Sequence, residues 1–272
     1  MKTFKKLAGI IAVITIIGLI FLSCEEEADS LGNTSFGKTL KLSGQVNVVK
    51  DENIPVSEPE KYVNSIINPK YEKFKDTLNV IDIRSGTTGE IKAGILNFRM
   101  ETPADDLLDP IDPYLNQLTN QGFKEAKANK EGVYCYIIPF LNVSGSEYKT
   151  LIRANQSGKF EIKNFNFSGT LNMDEISYIY VTDSVKITLT GDENQLGDMT
   201  IKTKNGNLSL QNGWNTIKIS SSGSSSGSII DAINKLDEIM SNPEIIMKGG
   251  LGKSTATVSV STDDAGTKWI LK

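Results

Sequence analysis

The chain has 272 residues, 39% apolar and 23% charged, a balance that excludes a multi-span membrane protein and a highly charged disordered chain. Its 33 acidic and 29 basic residues give a formal net charge of −4, which makes a polyanion such as nucleic acid an unfavourable partner. Histidine is absent, and with it go Ser-His-Asp and Cys-His catalysis and zinc ligation by imidazole.

Lys2, Lys5 and Lys6 form a basic start, and Leu7 to Leu22 follow as sixteen uncharged residues. Ser23 then supplies a small residue before Cys24. A positive n-region, a short apolar core and a small residue at the cut describe a secretory signal over residues 1–23. Phe21-Leu22-Ser23-Cys24 resembles the lipobox of bacterial lipoproteins, with Phe21 where the family favours Leu. The resemblance implies cleavage before Cys24 and a lipid on its sulfur, which anchors the protein to a membrane. Glu25, Glu26 and Glu27 follow, an acidic run that resembles the surface-export signal of lipoproteins in Bacteroidetes-like bacteria. Residues 24–37 read as a lipidated, acidic, flexible tether. With Cys24 lipidated, Cys135 is the only other cysteine, so no internal disulfide forms and stability must come from a core.

Beyond the tether, residues 38–272 form the body. Leu40, Leu42, Val46 and Val48 recur at period two and predict a half-buried strand, with a bulge at Ser43-Gly44. Asp51 to Pro59 reads as a loop. A strand at Val80–Ile83, a turn at Ser85–Gly89 and a strand from Ile91 to Met100, interrupted by Gly94, come next. Asp112 with Pro113 starts a helix that runs to Asn120. A possible internal break lies at 122–131. Val133 to Phe140 is apolar on both faces, as a strand covered twice would be.

Phe160 to Phe167 holds a strand pair. Ile176–Val181 and Val185–Leu189 flank Asp183-Ser184 as a hairpin. Met199–Thr203 and Leu208–Leu210 flank Asn205-Gly206, the strongest hairpin dipeptide in the chain. Residues 220–228 read SSSGSSSGS and predict a flexible loop. Ser228 caps a second helix, with Ile229, Ile233, Leu236 and Met240 on one face. Many short strands against two short helices argue a mainly β, sandwich-like body, one large or two small. The lipobox, Leu208-Ser209-Leu210 leading into Gly213-Trp214-Asn215, the Ser/Gly segment and Lys268-Trp269-Ile270-Leu271 resemble uncharacterised β-rich surface lipoproteins of spirochaete type. That resemblance implies location and fold and brings no activity.

Lys248 to Thr255 reads KGGLGKST and resembles the deviant Walker A signature K-G-G-x-G-K-[ST] of partition-type ATPases. Phosphate binding there needs a helix N-terminus after the loop. Ala256 to Val260 alternates and is rich in β-branched residues, so a strand is expected and the motif reads as a decoy. Asp192, Glu193, Asn194 and Asp198 cluster without EF-hand spacing and read as an acidic turn. Asp105-Asp106 and Asp263-Asp264 are adjacent pairs whose expected role is solubility. Tyr178 and Tyr180 share one strand face, so they are candidate ligand-contact aromatics if exposed and core residues if not. No catalytic residue, metal site or cofactor is expected. The reading is an outward-facing, lipid-anchored, non-catalytic binding or adhesion module of the outer membrane. Its ligand would be a protein or glycan, and the alternative is a periplasm-facing assembly lipoprotein.

Overall fold

A computed structural model describes residues 35–196, 199–230 and 253–272. The signal segment, Cys24, most of the Ser228-capped helix and residues 248–252 of the Gly-rich motif lie outside the described residues. In chain order the strands are β1 (Ser35–Gly37), β2 (Leu40–Val49), β3 (Tyr71–Lys73), β4 (Leu78–Ile81), β5 (Thr88–Lys92), β6 (Ile95–Met100), β7 (Asp109–Pro110), β8 (Glu125–Ala128), β9 (Tyr134–Ile138) and β10 (Leu141–Ser144). There follow β11 (Thr150–Lys163), β12 (Asn166–Val181), β13 (Val185–Thr190), β14 (Glu193–Leu196), β15 (Met199–Thr203), β16 (Gly206–Leu210), β17 (Gly213–Ser228), β18 (Lys253–Ser261) and β19 (Lys268–Leu271). Among the described residues two helices interrupt them, α1 (Pro59–Ile67) and α2 (Asp112–Asn120). Sixteen of the described strands share one sheet, and β8, β13 and β16 form a second. The body is mainly β and sandwich-like, as the alternating sequence predicts.

The large sheet closes on itself at one end. β10 pairs with both β4 and β11. The order β4–β5–β6–β2–β19–β11 completes a ring of seven strands. Each strand of the ring sends apolar side chains inward, Leu42, Val80, Ile91, Phe98, Leu141 and Trp269 among them, and these form the first core. β9, β12 and β17 make a wall between two cores. Tyr136, Tyr178 and Trp214 face the first core, while Cys135, Ile179 and Ile217 face the second. This is the twice-covered strand that the two-faced run at 133–140 predicts. α2 and the small sheet close the second core.

The predicted hairpins at Asp183-Ser184 and Asn205-Gly206 do not form. Residues 166–196 and 199–228 are instead the two arms of one long bent hairpin. Its arms pair from Asn166↔Ser228 to Val181↔Gly213, then Val185↔Leu210 to Leu189↔Gly206, then Glu193↔Lys202 to Leu196↔Met199. Asp183-Ser184 and Asn205-Gly206 are corners where both arms turn together into the other sheet. The tight turn that Asn-Gly favours takes positive φ at both central residues, and neither Asn205 nor Gly206 has it. The Asn205 side chain is used otherwise, its Oδ1 accepting from Gly191 N at 2.8 Å.

The Ser/Gly segment is also not a loop. Residues 220–228 are the far half of β17, paired with β12 on one side and with β18 from Ser226↔Lys253 to Lys218↔Ser261 on the other. Two neighbouring strands supply the backbone ladder, which outweighs the weak strand preference of Ser and Gly. The possible break at 122–131 holds β8, bonded to β13 from Ile187↔Ala128 to Thr190↔Glu125. Ser35–Gly37, expected in the tether, pair as β1 with Trp214 and Asn215.

Ser43-Gly44 inserts no bulge, because β2 pairs with β6 without a break from Leu40↔Met100 to Gln45↔Ile95. Gly44 has φ +144°, and a Cβ there would lie 3.2 Å from the Trp269 ring, so glycine lets the indole pack on the strand. Gly94, read as an interruption of one strand, is instead the second residue of a two-residue turn, Ala93-Gly94, with φ 48° and 78° between β5 and β6. Asn164-Phe165 turns β11 into β12 in the same way, with φ 49° and 61°. Phenylalanine has no steric freedom in that region, and the residue is 57% exposed. Phe165→Gly should therefore raise stability by about 1 kcal/mol through relief of left-handed strain. A urea midpoint that falls instead would contradict this.

Helix α1 is not anticipated by reading 51–59 as a loop, although Pro59 at its start and the i, i+4 pair Val63 and Ile67 signal it. It guards the outer edge of β11. Asn64 Nδ2 donates to Phe160 O at 2.7 Å and Asn64 Oδ1 accepts from Phe160 N at 2.8 Å, as a neighbouring strand would. Glu60 accepts from Ile162 N and Gln156 donates to Ile66 O. A long edge strand left bare would be a template for aggregation.

Candidate functional site

The outward face of β10, β4, β5 and β6 carries an open trough of about 830 Å³. Alternation builds it. Val80, Ile91, Leu96 and Phe98 point into the first core, so Asn79, Glu90, Asn97 and Arg99 point out. Register then aligns one side chain per strand: Ser144 opposite Asn79, Asn79 opposite Glu90, Glu90 opposite Asn97. Thr88 and Arg99 line the same trough. Arg99 is oriented by Glu101, whose Oε1 accepts from Nε at 2.8 Å and from Nη2 at 2.6 Å. Thr39 donates to the same carboxylate, and the Thr39 and Arg99 bonds hold Glu101 below the usual carboxylate range. The side chains of Ser144, Asn79, Glu90 and Asn97 make no hydrogen bond or ion pair with the described residues.

A buried polar cluster fixes one end of the trough. Asp82 lies in the turn after β4 and is 7% exposed. It accepts from Ser85 Oγ at 2.5 Å, from Ser85 N at 3.2 Å and from the Tyr136 hydroxyl. Burial first, and then the Asp82 bond, push the Tyr136 hydroxyl well above its ordinary pKa. Arg84 lies 4.8 Å over the Tyr136 ring and pairs with Asp109 at 2.7 Å. The sheet end that carries Ile81 and Thr88 is thus pinned to the wall strand β9. No family model, curated protein or solved structure matches this chain.

Of the two readings open for Tyr178 and Tyr180, ligand contact or core, the structure places both in the core. Tyr178 and Tyr180 are 3% and 6% exposed. The Tyr178 ring stacks on Trp269 at 6.2 Å, and Tyr180 meets Trp214 edge-on at 5.6 Å. Arg153 donates to the Tyr178 hydroxyl at 3.3 Å, and burial pushes that hydroxyl up to about 12. Both tyrosines serve the core, and their alternation carried no sign of which face is wet.

Asp263 and Asp264 do more than solubilise. Asp264 pairs with Arg153 at 2.6 Å and Asp263 with Lys218 at 3.5 Å, which ties the β18–β19 connection to β11 and β17. Asp105-Asp106 open a short 3-10 turn. In the acidic turn, Glu193 pairs with Lys202 at 3.0 Å, and Asp198 lies outside the described residues. Among the described residues no three Cys, Asp or Glu side chains come together as metal ligands. Lys253, Ser254 and Thr255 of the Gly-rich motif open strand β18. A strand offers no helix amides to a phosphate.

Cys135 is 3% exposed and forms no disulfide. Burial, reinforced by Asp109, pushes its thiol up to about 11. At pH 8 roughly a thousandth would be thiolate. The folded protein should therefore leave Cys135 unmodified by a disulfide reagent over hours and react at once in denaturant. Rapid reaction of the native protein would contradict its burial.

Proposed function

We propose that this chain is a bacterial envelope lipoprotein, anchored through lipid on Cys24 and facing outward from the outer membrane, whose body is a non-catalytic binding module. The observation that carries the binding reading is the trough: adjacent strands present Ser144, Asn79, Glu90 and Asn97 side by side, their hydrogen-bonding capacity unspent on any of the described residues. Such groups, held by paired strands over a packed core, form a preorganised contact surface. The chemistry of the lining favours binding over turnover. Among the described residues Glu90 is the one carboxylate that lines the trough, whereas carboxylate-based hydrolysis uses two.

The anchor reading is supported by the order of Lys2, Lys5 and Lys6, the apolar run, Ser23 and Cys24. The acidic run after Cys24 supports outward export, and the C-terminal likeness to spirochaete-type surface lipoproteins agrees with it. The test is Cys24→Ala in cells fed a palmitate analogue. The variant should lose the label and leave the membrane fraction. A variant that stays labelled and membrane-bound would contradict the anchor.

A further inference from the structure

We infer that the trough on β10, β4, β5 and β6 takes a neutral saccharide chain laid across the strands. The inference rests on the binding-module reading and names its ligand class. Ser144, Asn79, Glu90 and Asn97 step across the sheet one per strand, at about 4.8 Å per step, so the row spans about 14 Å. An extended pyranose chain repeats at close to the strand spacing, so successive sugar units meet successive side chains.

The donor and acceptor pattern fits hydroxyl groups. Each Asn amide offers a donor and an acceptor, Glu90 accepts twice, and the Ser144 and Thr88 hydroxyls do both. A sugar hydroxyl, itself donor and acceptor, is complementary to every one of them. Arg99, held by Glu101, adds a fixed donor at one end.

Other ligand classes fit less well. β4, β5 and β6 are each paired on both sides, so an extended peptide finds no free strand edge to join here. A phosphate chain would lie against the Glu90 carboxylate at the centre of the row. An apolar ligand would strand the amides and the carboxylate without partners. The Tyr178 and Tyr180 rings are buried and take no part, so hydrogen bonding carries recognition.

The test uses the full-length protein in detergent, titrated calorimetrically with cellotetraose, chitotetraose and maltotetraose, and with inorganic phosphate and spermidine as charged comparisons. At least one tetrasaccharide should saturate the protein. Glu90→Gln and Asn97→Leu should each weaken it by about tenfold, since each removes a ligand hydrogen bond. Both residues are exposed, so near-ultraviolet dichroism should stay unchanged. No saccharide binding, or binding that both variants leave intact, overturns the inference. Spermidine binding lost in Glu90→Gln, with no sugar bound, overturns it in favour of a cationic ligand. Spermidine bound in place of a sugar fails the saccharide class and keeps the binding-module reading, whereas no ligand bound at all fails both, so the two failures are distinguishable.

Discussion

Ser224→Pro should destabilise the protein by about 3 kcal/mol or more, read as a drop in the urea midpoint. Ser224 sits in the far half of β17, opposite Thr170 of β12 and Thr255 of β18. Its hydroxyl shares a hydrogen bond with that of Thr255 at 2.7 Å. In an antiparallel strand flanked on both sides, a residue's N–H bonds one neighbour or the other, so proline removes a ladder bond whichever way the N–H faces. In a flexible serine-glycine loop the same substitution would be close to neutral or slightly stabilising. An unchanged midpoint would return residues 220–228 to a loop.

Trp214→Ala should cost about 3–5 kcal/mol, the usual range for emptying a large aromatic site in a core. Trp214 is completely buried. It meets Tyr136 edge-on at 6.1 Å and Tyr180 at 5.6 Å, and its Nε1 donates to Glu101 O at 3.3 Å. The indole therefore joins β17 and β12 to the layer that carries the trough. The chain packs tightly beside it: a Cβ on Gly213 would lie 2.2 Å from Gly37 O. Little room exists for the surroundings to collapse into the cavity, which keeps the loss near the top of the range. Denaturation followed by dichroism measures it, and a loss below about 1 kcal/mol would show that Trp214 is not a keystone of the first core.

How much was legible in the amino-acid sequence follows from what each feature depends on. The strand β2 and the two-faced strand β9 were legible because the apolar pattern that a core requires is the pattern in the sequence. Helix α2 was legible from Pro113 in its first turn, although it runs from Asp112 with Ile111 as the flanking residue. The far half of β17 was not legible. Its serines and glycines argue for a loop, and only the strands β12 and β18, remote in sequence or order, make it a central strand. Asn205-Gly206 misled for a related reason: the dipeptide permits a tight turn without compelling one, and the pairing of β13 with β16 on both sides of a corner decided otherwise.

The trough was hidden for a different reason. Asn79, Glu90, Asn97 and Ser144 each occupy an ordinary outward position on an alternating strand. Nothing in their spacing along the chain brings them together. The registers of three strand pairs do, and those are set by the apolar residues on the opposite face. The charged pairs at Asp263 and Asp264 were misjudged in the same way, since Lys218 and Arg153 come from strands far off in sequence.

Proteolysis of intact cells, with lysed cells as the control, decides whether the body faces outward. A surface-displayed, lipid-anchored binding module predicts that a broad protease added to intact cells removes the protein while periplasmic markers survive. Protection in intact cells, with digestion only after lysis, would contradict outward presentation and place the body in the periplasm as an assembly lipoprotein.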